Sequence, residues 1–344
     1  MFVYSFILWC MRQFPSIIIS CLLITLCLVA HSQSLVTYQS AFEEQKAMLE
    51  GNTPIDFKRA VFLTEAAYYN GKLDYQQFTN EIKSTGVKLR ALIRSKGLEN
   101  YKTSKNWAVF TYMTDTIPVN DYKPCVYNFD DFLGNKDWSN MFVTKLMKTR
   151  KGNCHSLPYY YKILCEEIGG TAYLATAPNH VYIKHLDEKD QWVNIELTSV
   201  SFPRDQWIIK DLNVTVEEIK SGAYMQPLTP TESIAATMFD LACGYKRKYG
   251  YDDFMLLMTN TALKYYPNCI ELWMNKADCY RYFGLTEQAK PKRDKQKTKA
   301  YHQAYQEAVS KTNELGYKEM PKELYNDWVK SVEAEKTRRG LTSH

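Results

Sequence analysis

Three residues in one part of the chain have the types and the order that thiol chemistry needs. Cys154 lies in Lys151-Gly152-Asn153-Cys154-His155-Ser156-Leu157-Pro158, His180 follows Asn179, and Glu196 closes Trp192-Val193-Asn194-Ile195-Glu196. A cysteine attacks as its thiolate, so it needs a base to take the proton. An imidazole can serve, and a carboxylate can fix that imidazole's tautomer. Such a set attacks an amide or ester carbonyl and forms a thioester.

The elements around these residues are readable. Gly152-Asn153 allows a sharp loop, and the pattern from Cys154 to Ile168 predicts a helix ended by Gly169-Gly170 in a left-handed cap. A thiol at a helix N-terminus feels the positive end of the peptide dipoles, which favours the thiolate. Cys154, Pro158, Tyr161, Cys165 and Ile168 share one helical face, so the thiol should point toward what the helix packs on. Strand-like runs follow at Thr171 to Thr176, His180 to Leu186 and Trp192 to Leu197, with a polar turn from Asp187 to Asp190. Closing that turn with Leu186 opposite Asp190 sets His180 opposite Glu196, Tyr182 opposite Asn194 and Lys184 opposite Trp192. Imidazole and carboxylate then share a face, and a one-residue slip would part them. His185 faces away, while His155 is placed to line the cleft.

GNCHSLP, NHVYIKH and WVNIELTS, in that order, resemble the transglutaminase-like superfamily, a circularly permuted relative of papain. The resemblance covers about residues 105 to 205. It implies an α+β fold whose core is a cysteine-bearing helix packed on an antiparallel sheet. Cys154 matches the family's nucleophile, His180 its base and Glu196 its acid. That acid is usually Asp within a Trp-Val-x-Val-Asp-x-Thr phrase, so Glu196 departs by one methylene. Either the hairpin adjusts to keep the hydrogen bond or Asn194 takes the orienting role. An oxyanion hole would combine the Cys154 backbone N–H with a second donor, which in related enzymes lies upstream; Trp138 and Asn140 are the nearest candidates, with Asn153 a third. The implied substrate is a protein or peptide, with hydrolysis of an amide preferred over transfer to an amine, and no cofactor is called for. Cys154, His155, His180 and Glu196 match no common zinc spacing, so no metal is expected. The competing expectation is a catalytically silent fold that binds or scaffolds a protein partner through helices at its C-terminal end.

The rest of the 344-residue chain is long enough for two or three domains, and its 45% apolar content supports a substantial core. A formal charge of +5 is mild, and no nucleic-acid partner is expected. Ile17 to Ala30 is an uncharged apolar run preceded by Arg12 and followed by Ala30-His31-Ser32, the pattern of a secretory signal peptide over residues 1–32, with Met11 an alternative start. The protein is therefore expected to be exported, touching a membrane only through an uncleaved leader. Residues 33–104 read as a helical N-terminal segment, with a helix start at Thr53-Pro54-Ile55-Asp56 and a second helix near Asp74 to Ser95. Residues 105–210 form the transglutaminase-like region. Residues 211–344 read as a helical module: Thr215 to Glu218 is a capping box, and helical stretches near 231–248, 252–266, 269–283 and 285–313 are separated by Tyr249-Gly250, Pro267-Asn268 and Gly284. Part of this module resembles a tetratricopeptide-type hairpin over about one and a half repeats, short of the roughly three that a stable array needs. The basic run Lys290 to Lys299 reads as a solvated helix face. Outside the leader, Cys125, Cys154, Cys165, Cys243, Cys269 and Cys279 show no regular spacing, and the helical ones are expected to pack as core thiols.

Overall fold

The structure is a computed structural model that describes residues 35–318 and 322–338. The expected leader lies outside the described residues, and among the described residues no helix is long and apolar enough to cross a membrane. The fold mixes helices with small sheets. It opens with α1 (35–49), α2 (Phe57–Tyr68), α3 (Tyr75–Ser95) and α4 (Ser104–Thr114). Each start has a local cause where the sequence provides one: Asp56 accepts from Arg59 N at α2, and Asp74 accepts from Gln76 N and Gln77 N at α3.

A loop carries β1 (Val126–Tyr127) to α5 (Val143–Thr149) and β2 (Lys151–Gly152), which pairs parallel with β1. The central helix α6 (Ser156–Glu167) is buried from Ser156 to Cys165 on every side. It ends as expected: Gly169 is left-handed at φ 76, and Gly170 N donates to Cys165 O at 2.8 Å. Strands β3 (Tyr173–Ala177), β4 (His180–Leu186) and β5 (Trp192–Ile195) then form an antiparallel sheet in sequential order.

The sheet separates two cores. Leu174, Ile183 and Ile195 join the main core with α6, while Ala175, Ala177 and Tyr182 face a smaller core with Ile208, Tyr224 and Ile270. Helix α7 (Asp205–Asp211) covers that second face, followed by α8 (Val216–Lys220), whose Thr215–Glu218 capping box is formed. Four long helices complete the chain to residue 314: α9 (Pro230–Tyr249), α10 (Asp253–Tyr265), α11 (Ile270–Gln288) and α12 (Lys295–Glu314). Helix α13 (Lys322–Arg338) follows.

Gly284 does not separate two helices. Helix α11 runs through it, and a Cβ there would meet only Tyr301 Cβ at 3.7 Å, so the glycine lies where α12 crosses closely. The break falls at 289–294, where Pro291 has no N–H to continue the ladder and Asp294 caps α12. The Cys125, Cys154, Cys165, Cys243, Cys269 and Cys279 thiols are all free.

Candidate functional site

The turn before α6 is built on Asn153. Its Oδ1 accepts from His155 N at 3.0 Å and Ser156 N at 3.1 Å, and its carbonyl accepts from Leu157 N at 3.1 Å. Those are the bonds of a helix cap, so Cys154 occupies the first turn, where backbone N–H groups have no helical acceptor. Asn153 Nδ2 is also committed, to Phe132 O at 3.1 Å. Asn153 is fully buried and shapes the loop, which removes it as an oxyanion or orienting side chain. Gly152 is needed for the same packing, because a Cβ would stand 2.9 Å from Ser156 Oγ and 3.0 Å from Leu146 and Leu157.

Pro178-Asn179 makes the two-residue turn from β3 to β4, with Asn179 left-handed at φ 55. This turn brings Asn179 O within 3.8 Å of Cys154 Sγ and sets His180 at the first position of β4. By strand alternation His180 shares a face with Tyr182, while Val181 and Ile183 face α6. The thiol therefore meets the imidazole at the strand's end rather than over the sheet face on which the helix packs. His180 Nε2 lies 2.5 Å from Glu196 Oε2, leaving Nδ1 as the nitrogen for the thiol. Glu196 Oε1 accepts from Thr198 N at 2.9 Å and Thr198 Oγ1 at 2.7 Å, and its backbone pairs with Ser201.

The register differs from the expected one by two residues. Leu186 pairs with Trp192 and Ile183 with Ile195. Asp187 Oδ1 accepts from Lys189 N and Gln191 N, both at 2.8 Å, and Asp190 is left-handed at φ 59, so the loop closes one residue later than the polar run suggests. An even shift keeps His180 and Glu196 on one face but makes them diagonal rather than directly opposed. Asn194 faces Lys184 instead, and its Nδ2 donates to Pro203 O at 3.0 Å and Asp205 Oδ1 at 2.7 Å. It anchors α7 and does not orient His180.

The electrostatics follow from this geometry. Burial works against the imidazolium of His180, yet the Glu196 carboxylate and Cys154 outweigh it and hold the His180 pKa well above the ordinary histidine value. Burial likewise pushes Glu196 up, and His180 with the Thr198 hydrogen bonds brings it below the usual carboxylate range. The two directions agree on a carboxylate–imidazolium pair.

No protein-family model, curated protein or solved structure matches this chain.

Two neighbours of this group escape a reading by motif. Tyr127 is paired with Gly152 across the parallel β1–β2 bridge, next to the Cys154 loop. Burial, then Cys154 and Glu196, raise its pKa, so its hydroxyl stays protonated beside both. Its signal in the sequence is only an aromatic position in the loop before Phe129 and Phe132. The second is Asp240, on α9. His155 Nδ1 bonds Met141 O at 2.9 Å, and His155 Nε2 lies 2.9 Å from Asp240 Oδ2. Tyr159 Oη donates to the same carboxylate at 2.8 Å. Burial opposes a charged His155, but Asp240 and then the Met141 carbonyl overcome it and raise its pKa. His155 therefore lies behind Cys154 as part of a buried ion pair instead of lining a cleft.

The remaining candidates belong to the scaffold. Asn140 Nδ2 bonds Asp131 Oδ2 at 2.8 Å, and its carbonyl accepts from Ser156 Oγ at 3.1 Å. Trp138 carries the Arg247 guanidinium 4.2 Å above its ring, which ties the loop to α9. Neither is placed with the Cys154–His180–Glu196 group. Among the described residues no group of three or more His, Cys, Asp or Glu side chains converges to hold a metal ion.

Proposed function

We propose that this protein is an exported, thiol-dependent acyl-transfer enzyme with a transglutaminase-like, papain-related core, acting on amide bonds of a protein or peptide. The observation that carries the reading is one imidazole held by a buried carboxylate at 2.5 Å, with a partly exposed thiol that interacts with it electrostatically and lies 3.8 Å from the carbonyl of the residue just before it. In the reaction the Cys154 sulfur bonds to the carbonyl carbon and the carbonyl π electrons move to oxygen. The Cys154 N–H, in the first turn before α6, and the hydroxyl of Tyr127, whose backbone pairs with Gly152, are the candidate donors for that oxyanion. His180 then gives its proton to the leaving amine as the C–N bond breaks, and a thioester remains. Water attacks the thioester while His180 takes its proton, the C–S bond breaks, and the acid leaves with the thiolate restored. Glu196 keeps the ring oriented through both halves. Hydrolysis is the first reading and transfer to an amine the second; the triad alone selects no acceptor. Export rests on the apolar run Ile17 to Ala30; a protein recovered from the cytoplasm with that run intact would count against it.

The test is alkylation by iodoacetamide well below about pH 8, where an ordinary thiol reacts slowly. Cys154 should be modified ahead of the other five cysteines outside the expected leader, and Cys154→Ala should keep the fold while losing peptide-amide hydrolysis. Tyr127→Phe should retain the alkylation and lose turnover by about 100-fold. Slow, equal labelling of all the cysteines favours instead a binding protein, a reading supported by Leu257, Tyr282 and Leu285 exposed on the C-terminal helices.

A further inference from the structure

Just beyond the carboxylate that holds His180, the chain exposes side chains that a folded protein ordinarily buries. Phe202 is 56% exposed and Trp207 is 52% exposed. With Ser201, Arg204 and Lys210 they line an open groove of about 650 Å³. The aromatic walls are fixed in place: the Phe202 ring lies 4.7 Å from that of Phe110 on α4, and Trp207 projects from α7, which is anchored through Ile208 in the second core. Large exposed aromatic faces on a rigid support mark contact sites more often than they mark chance.

The groove's charge is one-sided. Among the described residues neither Arg204 nor Lys210 forms an ion pair, whereas Asp205, beside Arg204 in sequence, is engaged by Asn194 at 2.7 Å and lies 3.6 Å from Lys184. Two unpaired cations thus rim an aromatic trough. An apolar side chain with anionic neighbours meets both features.

The groove's wall is bonded to the residue that holds His180. Ser201, in its wall, exchanges both backbone hydrogen bonds with Glu196, at 2.9 and 3.0 Å. Helix α7 covers the same sheet face that carries His180 and Tyr182, because Tyr182 and Ile208 share the second core.

We infer that this groove is the substrate subsite, and that it selects an acidic polypeptide segment presenting an aromatic or large apolar residue beside the amide to be cleaved. This rests on the acyl-transfer reading of Cys154. The test uses the full chain carrying Cys154→Ala, so that binding is measured without turnover. Two fluorescein-labelled probes are compared by anisotropy in about 100 mM salt, where surface charges are partly screened: an eight-residue peptide alternating Glu with Phe, and the same peptide with Lys in place of each Glu. The acidic peptide should bind about tenfold tighter or better, a preference within reach of two partly screened charge contacts. Trp207→Ala should weaken it, and the double variant Arg204→Glu, Lys210→Glu should abolish the preference. Equal binding of the two peptides, or acidic-peptide binding unmoved by both variants, overturns the subsite. The cysteine alkylation pattern of the same groove variants, with Cys154 restored, separates the two proposals: unselective labelling removes the acyl-transfer reading and leaves the peptide result to stand by itself.

Discussion

Glu196 is one methylene longer than the aspartate that the transglutaminase-like resemblance leads one to expect, and the sheet register gives that methylene a use. His180 and Glu196 are diagonal across β4 and β5, and diagonal neighbours lie about 7–8 Å apart where directly opposed ones lie about 5 Å apart. Glu196→Asp should open the 2.5 Å contact by roughly one carbon–carbon bond, about 1.5 Å. A misplacement of that order costs about 100-fold in rate. The expected outcome is a corresponding fall in kcat/KM with an unchanged circular dichroism melt; full activity in Glu196→Asp would show that the diagonal reach does not matter. The pH behaviour follows from the same pair. His180 is raised, so its stabilisation is complete below the ordinary histidine pKa and lost as pH climbs through its elevated folded value. Glu196 is lowered, so its share is present above the ordinary carboxylate value and lost as pH falls through the depressed one. The pair therefore persists on both sides of neutrality.

At the scale of elements, the site loop depends on how α5 begins. Its Phe142 cap offers no side-chain acceptor, and the carboxylate of Glu65 arrives from α2 to accept Val143 N at 2.7 Å and Thr144 N at 2.9 Å. Burial nevertheless pushes Glu65 up to about 7, against the opposing hydrogen bonds and His155. A carboxyl whose folded pKa is raised contributes stability that is complete below its unfolded value of 4.5 and is lost as pH rises through about 7. The swing is roughly 3 kcal/mol at about 1.4 kcal/mol per pKa unit. Glu65→Gln cannot ionise, so the stability gap between wild type and variant should move against the wild type between those pH values. Urea melts at each end measure it, and a gap independent of pH would show that Glu65 does not titrate there. Neither this tie nor the Asp240–His155 pair was legible in the sequence, because each joins residues brought together only by tertiary packing. Local signals did better. The boundaries of β4, the Asp74 cap and the Gly169-Gly170 stop follow from residue types within a few positions. The hairpin register did not, because it turns on a single Asp187 side chain accepting two backbone bonds. Tyr127 was missed because two parallel residue pairs leave no periodic trace.

Taken whole, one buried cluster crosses the expected segment boundaries. Tyr38 and Phe42 before the site region, Leu164 and Ile183 within it, and Met238 and Leu272 after it belong to one buried cluster. Polar ties cross the same boundaries: Thr64 Oγ1 donates to Thr237 O at 3.1 Å, Lys248 reaches Asn70 Oδ1 at 2.7 Å, and Asp240 holds both His155 and Tyr159. Helix α9 is thus part of the support behind Cys154. Removing it would uncover Val61 and the aromatic face of Tyr159, and would leave His155 as a buried cation without its anion, which is strongly destabilising. The chain should therefore melt in one transition, with aromatic-region and far-ultraviolet circular dichroism coinciding. A version of residues 33–228, ending at Leu228 before α9, should lose that cooperative melt together with the selective alkylation of Cys154. Two resolved transitions in the full chain, or a 33–228 fragment that melts cooperatively and still labels at Cys154, would instead make the C-terminal helices a separate module. The buried His155–Asp240 contact would then be an accessory to the site and no condition for it, and the exposed faces of α10 and α11 would be free to serve a partner without disturbing the thiol.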